Sequence, residues 1–159
     1  MSRLLLPEEL ALLVSYVFEV MLTLHCELVG PRSLPEGAPL PERLRALSWR
    51  TAVLPIGGSR PLTVVLSSNE QGCLSLGAAL FACDTGAVDQ EMIDDTLREL
   101  VNMIGGQVRS AIAKDESLGL ARIDTSFDYA GERPLDTLLR HECVLLRAGS
   151  FELAVQVSE

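Results

Sequence analysis

The residues with the most chemical promise are Asp95, Glu99 and Asn102, set one helical turn apart. At about 100° per residue they fall in a narrow stripe that runs on through Gly106 and Arg109. Ile93, Leu97, Leu100, Val101, Ile104, Val108 and Ala111 collect on the opposite side as a core face. Residues three and four apart are neighbours on a helix, so one small substrate group could touch all three polar side chains. The solvated face of an ordinary amphipathic helix has the same periodicity. Two details speak for more than solvation. Asparagine is a poor helix former, and this chain has only two. Gly105 and Gly106 in mid-helix cost about 1 kcal/mol each relative to Ala, which a partner backbone docking beside Asn102 would explain.

Other reactive side chains read as packing or solvation. His25-Cys26 and His141-Glu142-Cys143 contain metal-ligating types. The first pair closes a helix, however, and the second sits on a strand, where adjacent side chains point to opposite faces. Cys143 beside His141 lacks a third group to orient a nucleophile pair. Asp94 and Asp95 with Glu99 read as solvated charges, because nothing around them predicts the burial that splits carboxylate pKa values. Gly57-Gly58-Ser59 lacks the lysine of a phosphate-binding loop and reads as a turn. Met103 flanks the stripe, either as an apolar contact for a partner or as a half-buried packing residue. No metal site is expected.

The elements that must position this stripe can be read in order. Pro7, Glu8 and Glu9 suit a first helical turn, proline having no amide to satisfy and the carboxylates facing the positive end of the dipole. Over residues 10–24 apolar side chains cover most of the helix surface, which predicts packing on more than one side. Residues 30–41, with four prolines and two glycines, form a loop. Residues 48–56 and 62–67, joined by Gly57-Gly58-Ser59-Arg60-Pro61, predict a β-hairpin. Residues 69–83 carry Leu74, Ala78 and Phe81 at helical spacing and end at Asp84-Thr85-Gly86. The signature helix spans 89–113, and a strand follows over 120–129. Residues 138–147 and 151–157 form a second hairpin across Ala148-Gly149-Ser150, with Phe151, Leu153, Val155 and Val157 alternating. This order predicts an α+β fold in which helices are layered on an antiparallel β-sheet, as one domain over residues 1–159.

Composition narrows the function. The chain has 159 residues and a net charge of −9, and its 13 basic residues form no cluster. Phosphate backbones and anionic membranes are repelled by such a chain, so neither nucleic acid nor membrane is an expected partner. The N-terminal leucines are interrupted by Pro7, Glu8, Glu9 and Glu19, far short of the roughly 20 apolar residues of a span. Four cysteines without CxxC spacing predict reduced thiols, and the expected location is cytoplasmic.

The run from Asp95 to Asn102 fits the D/S-x-x-x-E-x-x-N signature of the CheC/CheX/FliY phosphatases of bacterial chemotaxis, which this sequence resembles. Glu99-Leu-Val-Asn-Met-Ile-Gly-Gly106 is also similar to the family's E-x-x-N-M-x-x-G continuation. The resemblance in element order covers most of the chain. It implies a phosphatase acting on the aspartyl-phosphate of a CheY-like response regulator. It further implies that Asn102 orients the attacking water and that Glu99 pairs with the regulator's active-site lysine. Asp95, Met103 and Gly106 would assist docking, and the metal, Mg2+, would belong to the regulator rather than to this chain. The first helix has Glu19 but no Asn, so the single site looks like CheX, and the resemblance implies a homodimer. Where the family carries a proline just over twenty residues beyond the Asn, this chain has Ile123-Asp124-Thr125-Ser126, and its next proline is Pro134. The alternative function on the same fold is a non-catalytic regulator-binding or flagellar-switch-like module.

Overall fold

The computed structural model of the chain describes residues 5–30, 46–47, 49–59, 61–124 and 142–158. Within them lie helix α1 (Pro7–Leu22), strand β1 (Cys26–Gly30), strands β2 (Arg50–Gly57) and β3 (Leu62–Ser68), and helix α2 (Glu70–Phe81). A short 3-10 turn (Thr85–Ala87) leads into helix α3 (Gln90–Ile112). Strands β4 (Ser117–Leu118), β5 (Arg122–Ile123), β6 (Glu142–Ala148) and β7 (Phe151–Ser158) follow. The strands form one sheet in the order β1-β6-β7-β3-β2-β4, with β5 also on β2. Every pairing is antiparallel. The α+β reading of the sequence is the observed fold.

The helices bury their apolar sides against one face of this sheet. Phe18 of α1, Leu76 of α2, and Leu97, Leu100 and Ile104 of α3 share a core with Leu54, Leu66, Val144 and Val155 of the strands. Phe151, Leu153, Val155 and Val157 face that core as their alternation predicts, yet Ala154 and Gln156 between them are buried as well. The central strands are thus enclosed on both faces.

Several local expectations are corrected. Helix α1 packs on one side only: Leu10, Val14, Val17 and Phe18 are buried, whereas Leu12, Tyr16 and Val20 are exposed. Strand β1 begins three residues after its end, so Cys26 opens a strand rather than closing a helix; Thr23 in the left-handed region makes the sharp exit. The helix expected over 69–83 is α2; Leu74 and Ala78 at its helical spacing are half-buried and Phe81 is exposed, while Gly72, Cys73, Leu76 and Gly77 are its buried positions. The strand expected over 120–129 begins earlier and is broken, and Leu120 is 89% exposed within the break. β4 pairs Leu118 with Ile56 and β5 pairs Arg122 with Val53, so one extra residue stands on the edge side. Pro55, with no N–H to donate, sits at this irregularity, and its carbonyl accepts from the Gly119 amide at 2.7 Å. Residues 125–129 of that strand, the 31–41 part of the loop, and residues 138–141 of the closing hairpin lie outside the described residues.

Candidate functional site

Helix α3 carries the site, and its start is well fixed. The Asp89 side chain accepts from the Met92 amide at 2.8 Å, capping the first turn. The core face is as expected for Ile93, Leu97, Leu100, Val101, Ile104 and Val108, all buried, while Ala111 is exposed. Thr96 is also buried and gives its hydroxyl proton to the Met92 carbonyl at 2.7 Å, which removes a polar group from the core.

On the opposite side Asp95, Glu99 and Asn102 are exposed, and Gly106 and Arg109 are half-buried. The helix therefore brings the whole stripe to one outward face. The Arg98 guanidinium donates to the Asp95 carboxylate at 3.0 Å, three residues apart. Glu99 has no such counter-ion among the described residues, so its charge is open to an incoming cation. Asn102 presents a neutral amide, one donor group and one acceptor, one turn further on. Met103 is half-buried against the core rather than free on the surface. The site is a convex helix face, which suits contact with another macromolecule better than enclosure of a small molecule.

Asp94 is not the solvated charge its sequence context predicts. Its carboxylate receives Arg50 Nε at 2.8 Å, and the two side chains are only 21% and 15% exposed. With its amide oxygen turned to the guanidinium, Gln90 accepts from Arg50 Nη1 and Nη2 at 2.8 and 2.6 Å. Trp49 lies against the same guanidinium, 5.6 Å from ring centroid to carbon. One arginine at the start of β2 thereby holds the first two turns of α3, just ahead of Asp95. Sequence reasoning missed Arg50 and Gln90, and no local signal marks them, since Arg50 and Asp94 are 44 residues apart.

The paired glycines separate. A Cβ on Gly105 would come within 2.0 Å of Leu54 Cδ2, so this glycine admits β2 of the same chain, not a partner backbone. A Cβ on Gly106 would meet nothing within 4 Å, leaving open space beside Asn102. The metal expectation concerns fewer residues. His25 is exposed with Nδ1 3.2 Å from Glu19 Oε1, whereas Cys26 is buried, so that pair does not converge. His141 and the side chains of Glu142 and Cys143 lie outside the described residues. Among the described residues no group of three His, Cys, Asp or Glu side chains could hold a metal ion. No described helix is long and apolar enough to cross a membrane.

No family model and no curated protein matches the sequence. Solved structures do match in shape. The chemotaxis protein CheX from Desulfovibrio desulfuricans aligns with a TM-score of 0.68 at 14% identity, over 94% of this chain and 95% of that one. A chain of the CheX–CheY–BeF3–Mg2+ complex from Borrelia burgdorferi aligns with a TM-score of 0.64 at 14% identity, over 98% of each. FliY from Thermotoga maritima aligns with a TM-score of 0.52 at 7% identity, over 92% of this chain and 82% of that one. The chain has the fold shared by the CheX, CheC-like and FliY chemotaxis proteins.

Proposed function

We propose that this protein accelerates hydrolysis of the aspartyl-phosphate of a CheY-type response regulator in the cytoplasm. The observation that carries the reading is that Glu99, without a counter-ion among the described residues, and Asn102 face outward one turn apart on a capped helix of a CheX-type fold. In the reaction a water oxygen bonds to phosphorus, the bond from phosphorus to the aspartyl oxygen breaks, and the aspartate leaves as a carboxylate with inorganic phosphate. An acyl phosphate is already activated, so positioning the water in line supplies most of what a catalyst must add. Asn102 suits that task because its amide can hold the water by a hydrogen bond but cannot remove its proton. Glu99, free of a counter-ion among the described residues, pairs with a cation of the regulator and fixes the approach. Asp95 assists docking with its charge partly balanced by Arg98, while Met103 and Gly106 border the contact. The divalent ion that neutralises phosphoryl charge belongs to the regulator.

A solved structure of the same fold is a complex of CheX with CheY, which supports a CheY-type partner for this chain. A homodimer belongs to the same proposal. The exposed apolar line of Leu12, Tyr16 and Val20 on α1 supports it, because large apolar side chains in a row mark interfaces. A monomer by light scattering at micromolar concentration overturns that part.

The test is phosphate release from a phosphorylated CheY-type receiver with and without this protein. Faster release supports a phosphatase. Binding without faster release supports the second reading, a regulator-binding or switch-like module. That reading is favoured by the likeness to FliY and by Ile123-Asp124-Thr125-Ser126 standing where the family has its proline.

A further inference from the structure

We propose that Leu120, with Leu118 close by, is the apolar docking contact of this protein for the response regulator, standing beside the Glu99–Asn102 face on the open edge of the sheet. The inference rests on the regulator-binding reading above and supplies the apolar part of the interface that the helix face lacks.

Protein interfaces draw most of their affinity from a few large side chains that become fully covered, while charged groups set approach and orientation. The outward stripe of α3 offers Asp95, Glu99, Asn102 and Gly106, none of them large and apolar, and Met103 beside it is packed against the core. The missing apolar surface lies on the flank of the helix. Strands β4 and β5 end the sheet there among the described residues. Leu118 is 36% exposed and adjoins α3, since a Cβ on Gly105 would lie 3.7 Å from its Cδ2. Leu120, at 89%, is the most exposed large apolar residue among those described.

Its level along the helix fits the same face. Helix α3 runs beside β2 from Asp94 at Arg50 to Gly105 at Leu54. The break that holds Leu120 stands opposite Leu54 and Pro55, between the pairs Leu118–Ile56 and Arg122–Val53. Asn102 comes three residues before Gly105, only about 4.5 Å along the axis at 1.5 Å per residue. Gly106, one turn beyond Asn102, adds no side chain that would hold a partner off.

A single exposed leucine is ordinary on a protein surface. This one is held in place. The Gly119 amide donates to the Pro55 carbonyl at 2.7 Å, and a Cβ on Gly119 would come within 2.6 Å of Pro55 Cγ. Beyond Leu120 the backbone returns to β2 through Arg122 and Ile123. A leucine fixed in water gains by burial without the ordering cost of a loose loop. A second copy of the chain is the poorer occupant. With two residues each and a break between them, β4 and β5 offer no edge long enough to pair with another strand.

The experiment measures binding and phosphate release with a purified CheY-type receiver, with and without phosphorylation by a small acyl phosphate, at two ionic strengths. Wild type, Leu120→Ser and Leu120→Met are compared, with Leu6→Ser, at an exposed leucine just ahead of α1, as control. Leu120→Ser should weaken binding by about 10-fold in both phosphorylation states and at both ionic strengths, with turnover at saturating receiver within about twofold of wild type. Leu120→Met should keep affinity within about twofold, and Leu6→Ser should leave it unchanged. The denaturation midpoint of Leu120→Ser should match wild type, because the side chain has almost no packing to lose. Unchanged affinity of Leu120→Ser overturns the inference, as does an equal loss in Leu120→Met or in Leu6→Ser. A lowered midpoint overturns it too, by assigning the leucine to the chain's own packing. A changed oligomeric state by light scattering, with receiver affinity intact, assigns it to a second copy instead. Wild type that neither binds nor dephosphorylates any receiver overturns the regulator reading itself, whereas active wild type with an insensitive Leu120→Ser overturns this inference alone.

Discussion

Arg50 Nε lies 2.8 Å from Asp94 Oδ1, joining the first residue of β2 to the second turn of the helix that carries the candidate site. A second contact, Nη2 to Oδ2 at 3.4 Å, makes the pair two-pronged. Because both side chains are mostly withdrawn from water, screening is weaker than for a surface pair, and removing one partner leaves the other charge poorly solvated. Arg50→Ala should lower unfolding free energy by about 2 kcal/mol. The Arg50→Ala/Asp94→Ala double variant should be less damaged than the sum of the single changes. Urea denaturation of the four-member cycle measures the coupling, and strict additivity would show that the pair does not stabilise the fold.

The adjacent glycines of α3 should respond in opposite directions to the same change. Gly105→Ala pushes a methyl into Leu54, itself fully buried, so that any shift of its side chain disturbs the core around it, and should cost about 1–3 kcal/mol. Gly106→Ala meets open space and removes backbone freedom from the unfolded chain, so it should stabilise by about 0.5–1 kcal/mol. Denaturant midpoints decide it; equal effects would contradict the packing of α3 on β2.

The contrast also separates what was legible in the sequence from what was not. The periodicity of α3 sorted Leu97 inward and Glu99 outward because a helix buried on one side writes that period into its residues. The two hairpins were equally readable, from turn residues between β-rich runs. The Arg50–Asp94 pair, the collision course of Gly105 with Leu54, and the break in the edge strand at Pro55 all depend on segments distant in sequence, and single-segment patterns carry no trace of them. Strand β1 was missed because three residues separate it from α1, too few for a turn signal to interrupt the apolar run. Helix α2 packs through Leu76 with the small residues Cys73 and Gly77 and leaves the larger Phe81 exposed, a face that helical spacing alone does not mark.

Burial should make two thiols nearly inert. Removal from water pushes the Cys26 thiol up to about 12, with the Glu19 carboxylate adding to the shift. Cys73 is likewise raised to about 12, first by burial and then by Asp94, against a lowering from Arg50. Thiolate is the reactive form, so at pH 8 both are protonated by a wide margin. In a Cys143→Ser background, half-buried Cys83 should alkylate first in the native state, with Cys26 and Cys73 reacting only after denaturation. Peptide mapping of the labelled protein checks this order, and prompt native labelling of Cys73 would refute it.

Asn102 and Glu99 should fail in different ways, and the difference tests the mechanism. A residue that holds the attacking water acts mainly in the transition state, so Asn102→Ala should lower turnover by about 10² to 10³, roughly 3–4 kcal/mol, while the receiver still binds. A residue that pairs with a partner cation acts in the docked complex before reaction. Glu99→Ala should therefore weaken binding as well as rate, by about 1–3 kcal/mol. Wild-type affinity should fall as salt screens that contact, and the fall should be shallower in Glu99→Ala. Both side chains are exposed, so neither change should move the melting temperature by more than a few degrees. Phosphate release by both variants at two ionic strengths, across a range of receiver concentrations, separates turnover from affinity. Full activity in Asn102→Ala would remove the water-positioning role, and a salt response identical in wild type and Glu99→Ala would remove the charge contact.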